Sequence, residues 1–479
     1  MEAARPAPPP ALWPLATALV AGGAAVLAGV AGLVAVGSQA AWVVPAVVGG
    51  AVASWAVRPG PAALLVGVVG LQALQFGGAP GLSAGEVVGG LALVGYLAWW
   101  YGGAVLARRP LVTSGADVAA AGWLGVAAPA AVVLGLLFGA DPYDFRADLL
   151  ATLPFALYFP VKDLCARDRR GALAVAGVLA WLGAVAVVTN VLRYRAVIAT
   201  ADAVWEIADA RFITGETAIT AGLFLSLAGL ATARYGLRRV ALAVAAAAFA
   251  GGLVITKSRG FWVSAVLGLA FLAVVLPGAD RRRLVAWGGA GVALLVAASV
   301  VALGDQLALV VVGTAERFAT LATATTQDLS LVNRFRETSA AVAVALENPV
   351  LGYGWGVQVT RFNIIFGITE TWAFVHNGYV ALWLKTGLWG LALMMTVWAG
   401  GIVRATRAGR GRALGPPDRA VALGAAATLV AFTLVANSSN PFSILDQMLI
   451  VTLLLGLTNG LADRAEAVGR VGATGRERP

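Results

Sequence analysis

Two residue types are almost missing from this chain of 479 residues: it has one cysteine, Cys165, and one histidine, His376. A single cysteine excludes an internal disulfide and a cysteine-rich metal site. With only one histidine, a His/Cys metal centre has too few ligands, so the expected chemistry is metal-independent and needs no cofactor. Charge is scarce too. Asp, Glu, Lys and Arg make up 12% of the chain, against roughly 25% in a soluble domain. No P-loop is present, which argues against ATP hydrolysis as the driving force. No internal repeat stands out, which weakens the case for a repeat-built transporter.

What fills the chain is apolar: 60% of residues are hydrophobic. Runs of about 20 such residues recur from end to end, the mark of transmembrane helices. The expected fold is all-α, a polytopic integral membrane protein of about 12–14 spans. Candidate spans are 12–35, 41–57, 61–77, 86–107, 117–139, 148–161, 172–189, 217–233, 240–256, 260–277, 285–303, 378–402, 420–436 and 445–462. The run after MEAARPAPPPALW reads as an uncleaved span. The segment 148–161 is short enough to be re-entrant or tilted. Three regions follow: N-terminal helices 1–239, a core 240–402 with a large loop 304–377, and C-terminal helices with a tail, 403–479.

The net charge of +10 could suggest nucleic acid, but its placement argues otherwise. Basic residues sit in short clusters between spans. With the N-terminus in the cytoplasm and spans alternating, Arg58, Arg108, Arg109, Lys162, Arg167, Arg169, Arg170, Arg234, Arg238, Arg239, Arg281–Arg283, Arg404, Arg407, Arg410, Arg412 and Arg419 fall inside. The inner side is then strongly positive and the outer side weakly negative, as the positive-inside rule requires. Both termini are expected in the cytoplasm, and the chain in the plasma (inner) membrane.

Two outer segments are long. Residues 190–216 read as a partly amphipathic surface helix. Residues 304–377 precede the twelfth span, and a loop of this size is usually functional. Within it NRFRETSAAVAVALENP looks helical, with Phe335, Val342, Ala345 and Leu346 on one face and Pro349 as its stop.

Three outer features are candidates for chemistry. KSRG puts Lys257 and Arg259 at a tight turn between spans, where the positive-inside rule disfavours them; a snorkelling interfacial arginine is the plain alternative. Arg334 and Arg336 open the loop helix, either as a solvated face or as an anion clamp, since guanidinium forks match phosphate. His376 lies at the mouth of the span from Gly378, either as a cap or as a general base. Nearby arginines would keep its ring neutral and able to accept a proton. The glycines of GYGWG, including Gly354 beside Tyr353, could offer backbone N–H groups to an anion. Lys385 lies within its span, a functional candidate that could equally pair with an acid on a neighbouring helix. Asp141 and Asp144 could hold a cation, but in a loop distant in sequence from the arginines and the histidine.

The order SRG at 258–260, NRFRE…ENPVLGYG at 333–354 and HNGYVALWLKTGLWGL at 376–391 resembles the O-antigen ligase and polymerase family. These are integral-membrane glycosyltransferases of the bacterial envelope. The resemblance covers roughly residues 240–400. It implies an undecaprenyl-diphosphate-linked glycan as donor and a glycan or lipid as acceptor, on the outer side of the bilayer, with no nucleic acid. It also implies that Arg259 and Arg334 hold the leaving diphosphate and that His376 activates the acceptor hydroxyl. Lys257, Arg336, Asn377, Tyr353 and Gly354 are then the expected substrate-binding neighbours. Two departures bear on acceptor type and loop packing: Lys385 stands where the family often has glutamate, and Thr338 where an aromatic is common.

A second reading is a transporter or flippase for a glycolipid, sugar or small anion, with the arginines binding substrate and His376 relaying protons. Such a protein should carry polar groups near the bilayer midplane on broken helices. A peptidoglycan polymerase ranks last, for want of an outer aspartate suited to act as base.

Overall fold

In lipid a backbone must satisfy its own N–H and C=O groups, so long apolar runs become helices. The computed structural model describes residues 67, 69–70, 84–200, 206, 210–212, 214–233, 236–303, 307–319 and 329–474. The expected spans 12–35, 41–57 and 61–77 lie outside the described residues, apart from helical positions 67, 69 and 70.

The chain divides into two units, 1–103 and 104–479. Most of α1 (Ala84–Leu106) belongs to the first. The second holds α2 (Gly115–Leu137), α3 (Pro142–Arg167), α4 (Arg169–Ile198), α5 (Glu216–Thr232), α6 (Leu237–Ile255), α7 (Arg259–Val275), α8 (Gly278–Leu303), α9 (Leu307–Ala319) and α10 (Leu329–Glu347). An antiparallel hairpin of β1 (Val359–Asn363) and β2 (Ile368–Trp372) follows, then α11 (Gly378–Arg410), α12 (Pro416–Val435) and α13 (Leu445–Thr474). Seven of these helices are long and apolar enough to cross a membrane: α2, α3, α4, α6, α11, α12 and α13. The protein is an all-α polytopic membrane protein.

Three expectations need correction. The segment expected at 148–161 is no short re-entrant piece. It is part of α3, 26 residues long, begun by an Asp141 cap and by Pro142. A 3₁₀ turn, Leu153–Leu157, lets α3 carry Pro154 without breaking. Part of the expected surface helix 190–216 belongs to α4, which runs on to Ile198. On α10 the buried stripe is Asn333, Glu337, Ala341 and Ala345, spaced four apart, while Phe335 and Leu346 are exposed.

The packing is organised around α5. Every residue of α5 except Gly229 and Thr232 is buried, because α4, α6, α7 and α12 all pack on it. A helix enclosed on all sides needs no polar face, which fits a sequence that is apolar apart from Glu216, Ser226 and a few threonines. At one end of the helices lies a buried ionic network. Lys162 reaches Asp117 at 2.6 Å and Asp463 at 2.8 Å, and Arg404 reaches Asp463 at 2.6 Å.

The other feature that sets up the site is a break in α11. Gly387 has φ +70°, and a side chain there would strike the Val350 carbonyl. The break frees backbone groups, and the loop after α10 satisfies them. The Tyr353 N–H donates to the Leu384 carbonyl at 2.9 Å, the Gly354 N–H to Lys385 at 3.0 Å, and the Leu388 N–H to Pro349 at 2.9 Å. Lys385, at the break, donates to Asp148 at 2.6 Å, and the other Asp148 oxygen accepts the Gly356 N–H at 2.8 Å. This stretch, GYGWG, therefore plugs a broken helix.

Candidate active site

A cavity of about 440 Å³ opens among the ends of α5, α7, α10, α11 and α13. That is a normal size for a small-ligand site. Its ionisable lining is Arg211, Arg259, Arg334, Glu216 and His376. Serines surround them: Ser258, Ser330, Ser438 and Ser439, with Gln447.

Arg259 is the first residue of α7, set by the three-residue turn from α6. Arg334, on the first turns of α10, reaches across to the α12–α13 turn and donates to the Ser438 carbonyl at 2.8 Å. Burial, then Arg211 nearby, hold its pKa below the ordinary value, but a guanidinium stays charged. Three guanidinium groups against one carboxylate give this cavity a positive balance that suits an anion.

His376 is anchored on both flanks. The Val375 carbonyl accepts from Asn440 at 3.0 Å, and the Gly378 N–H donates to Ala436 at 2.7 Å. The imidazole is half-buried, with the Phe374 ring edge-on at 5.0 Å. Its Nδ1 lies 3.0 Å from both carboxylate oxygens of Glu337, and its backbone N–H donates to the same carboxylate. Glu337 is itself paired with Arg361, which also binds Glu370 at 2.9 Å across the hairpin. Burial first, then the charges of Arg334 and Arg361, lower the His376 pKa to about 4. At neutral pH the ring is uncharged and able to take up a proton.

The sequence candidates separate in space. Arg259, Arg334 and His376 line the one cavity. The five expected neighbours are absent from its lining. Arg336 is exposed on α10. Lys257 is buried, with its ammonium 5.6 Å from the Tyr194 ring centre. The Asn377 side chain caps α11, accepting from the Val380 N–H at 3.1 Å. The Tyr353 hydroxyl donates to Glu347 at 3.2 Å. Gly354, at φ +88°, donates its N–H into the α11 break, so it has none to offer an anion. Lys385 takes the plain alternative and pairs with Asp148. Asp141 caps α3, and Asp144 accepts from Gln358 at 2.6 Å. Among the described residues no group of three or more His, Cys, Asp or Glu is placed to hold a metal ion.

Sequence reasoning missed Arg211, Glu216, Glu337, Arg361 and the serines of ANSSNPF. Arg211 had a signal: an arginine just before the apolar run of α5. Glu337 had none in an apolar periodicity, because it is a buried charge.

Residues 242–395 match the model of one protein family, described as O-antigen ligase. No curated protein matches the chain.

Proposed function

We propose, from the match of residues 242–395 to the O-antigen ligase family model, that this chain transfers or polymerises a glycan from an undecaprenyl-diphosphate-linked donor. The acceptor is a hydroxyl group of a glycan or lipid, met on the outer side of the membrane. The observation behind this reading is that Arg259, Arg334 and the lone histidine border one cavity.

The chemistry follows from those groups. The acceptor O–H gives its proton to the His376 ring as its oxygen attacks the anomeric carbon of the donor sugar. The bond from that carbon to the diphosphate oxygen breaks, and its electron pair leaves with the diphosphate. Arg259 and Arg334 stabilise the charge that develops there, a contribution realised mainly in the transition state. Arg211 adds to the same field. No step calls for a metal ion.

The test is glycan transfer by purified protein in detergent with a chelator present. The expected result is product and free undecaprenyl diphosphate from wild type, and neither from His376→Ala or Arg259→Ala. If wild type moves lipid or solute across liposomes and forms no glycosidic bond, a transporter takes its place.

A further inference from the structure

A neutral imidazole has two tautomers, and only its unprotonated nitrogen can accept a proton. Whichever nitrogen faces a carboxylate carries the hydrogen. At His376 that nitrogen is Nδ1, 3.0 Å from each oxygen of Glu337. Among the described residues no hydrogen bond engages Nε2, and the ring lines the cavity.

We propose that Glu337, held ionised by Arg361, is the positioning residue that fixes His376 in the Nδ1–H tautomer and leaves Nε2 free to take the proton. This rests on the reading of His376 as the base. Several observations support it. Glu337 is 1% exposed, so its charge must be matched locally. Arg361 on β1 supplies the match, and Glu370, its cross-strand partner, fixes the guanidinium in turn. Glu337 also takes the His376 backbone N–H, so one carboxylate sets both the ring and the main chain that carries it. The hairpin thus brings Arg361 to a carboxylate on α10 that would otherwise be buried unpaired. The charged groups facing the ring are Glu337 and Arg334 on α10 and Arg361 on β1, with Arg211, Arg259 and Glu216 across the cavity.

His376 is the only histidine, so the tautomer can be read directly. Protein labelled with ¹⁵N-histidine, free of any histidine tag, gives one pair of ring nitrogen signals. Long-range ¹⁵N–¹H correlation tells Nδ1 from Nε2. At neutral pH wild type should show hydrogen on Nδ1 and none on Nε2. Glu337→Gln keeps the shape but loses the charge. It should mix or reverse the tautomers and lower kcat on the order of 10²–10⁴-fold, with KM for the donor little changed. Its acid limb in kcat should move to lower pH, since a negative charge beside the ring is gone. Arg361→Gln should do the opposite: the freed carboxylate favours a protonated ring, and the limb moves up.

A residue that only supports the fold would not shift the limb in opposite directions in the two variants. Hydrogen on Nε2 in wild type overturns the proposal, even if neither variant folds. So does a Glu337→Gln protein with unchanged tautomer and kcat. If His376→Ala still transfers glycan, the reading of the base fails instead, whatever the tautomer.

Discussion

The sharpest test of the architecture is the Lys385–Asp148 pair. Lys385 is 1% exposed, and its ammonium lies 2.6 Å from Asp148, also buried. Removing one partner of a buried pair leaves an uncompensated charge, which costs about 3–5 kcal/mol. Lys385→Met should fall near the lower end, about 3 kcal/mol, because Asp148 keeps the Gly356 N–H. The double variant Lys385→Met with Asp148→Asn removes both charges and keeps that hydrogen bond. It should recover to within about 1 kcal/mol of wild type, so the two changes are strongly coupled. The assay is unfolding followed by intrinsic tryptophan fluorescence in one fixed detergent, for wild type, both single variants and the double. Glycan transfer is measured well below each midpoint, where Lys385→Met should stay within about tenfold of wild type, a barrier change of about 1.4 kcal/mol. The reasoning fails if Lys385→Met melts like wild type. It fails differently if stability is unchanged and transfer is lost, because Lys385 would then belong to the chemistry.

Further outcomes follow from the same geometry. With the His376 pKa lowered to about 4 by burial and by Arg334 and Arg361, kcat/KM should stay level from neutral pH down to about 5. Below the limb it should drop roughly tenfold per pH unit, as the ring takes the proton it must accept; a limb near 6.5 refutes the environment described. The unfolded chain binds that proton first, so His376 contributes a fall in stability as pH goes from 6.5 to about 4, read as the difference between wild-type and His376→Ala melts across that range. Arg334→Lys keeps the charge but loses the fork and the bridge to Ser438, so kcat should fall on the order of 10²-fold in steady-state assays. Arg211→Ala, at an exposed position, should raise the donor KM by at most about fivefold, and Arg336→Ala should change neither constant.

The helices were legible because lipid allows few alternatives: an apolar run long enough to span must be helical. The ends of α2, α11, α12 and α13 lie within a few residues of the sequence reading at the site side. What was not legible is tertiary. GYGWG shows glycines, and glycine-rich loops bind anions often enough to suggest it. Only the fold reveals that α11 breaks at Gly387 and that these N–H groups repair the break. The hairpin was missed although VTRFN and ITETW are rich in β-branched and aromatic residues around a turn closed by Gly367. Its strands are only five residues each and lie in the part of the loop after Pro349, for which the sequence reading gave no secondary structure. Glu337 was hidden by the assumption that a buried helix face is apolar. Its stripe pairs Asn333 and Glu337 with two alanines, and a hydrophobic pattern does not register them.

The break in α11 is what a transporter would be expected to show, but its surroundings are not. In transporters the freed ends of a broken helix stay open and bind cargo. Here Leu384, Lys385 and Leu388 have given their backbone groups to residues 349–354, and Lys385 has given its charge to Asp148. A substrate entering there would have to displace three backbone hydrogen bonds and a buried ion pair. The cavity at the helix ends is different. Its arginines, serines and glutamine line one cavity, and its histidine is uncharged at neutral pH. Polar groups satisfied at the break, together with polar groups gathered around a cavity at one end, fit a fixed site that works from one side. A carrier that passes substrate through the middle needs the reverse arrangement.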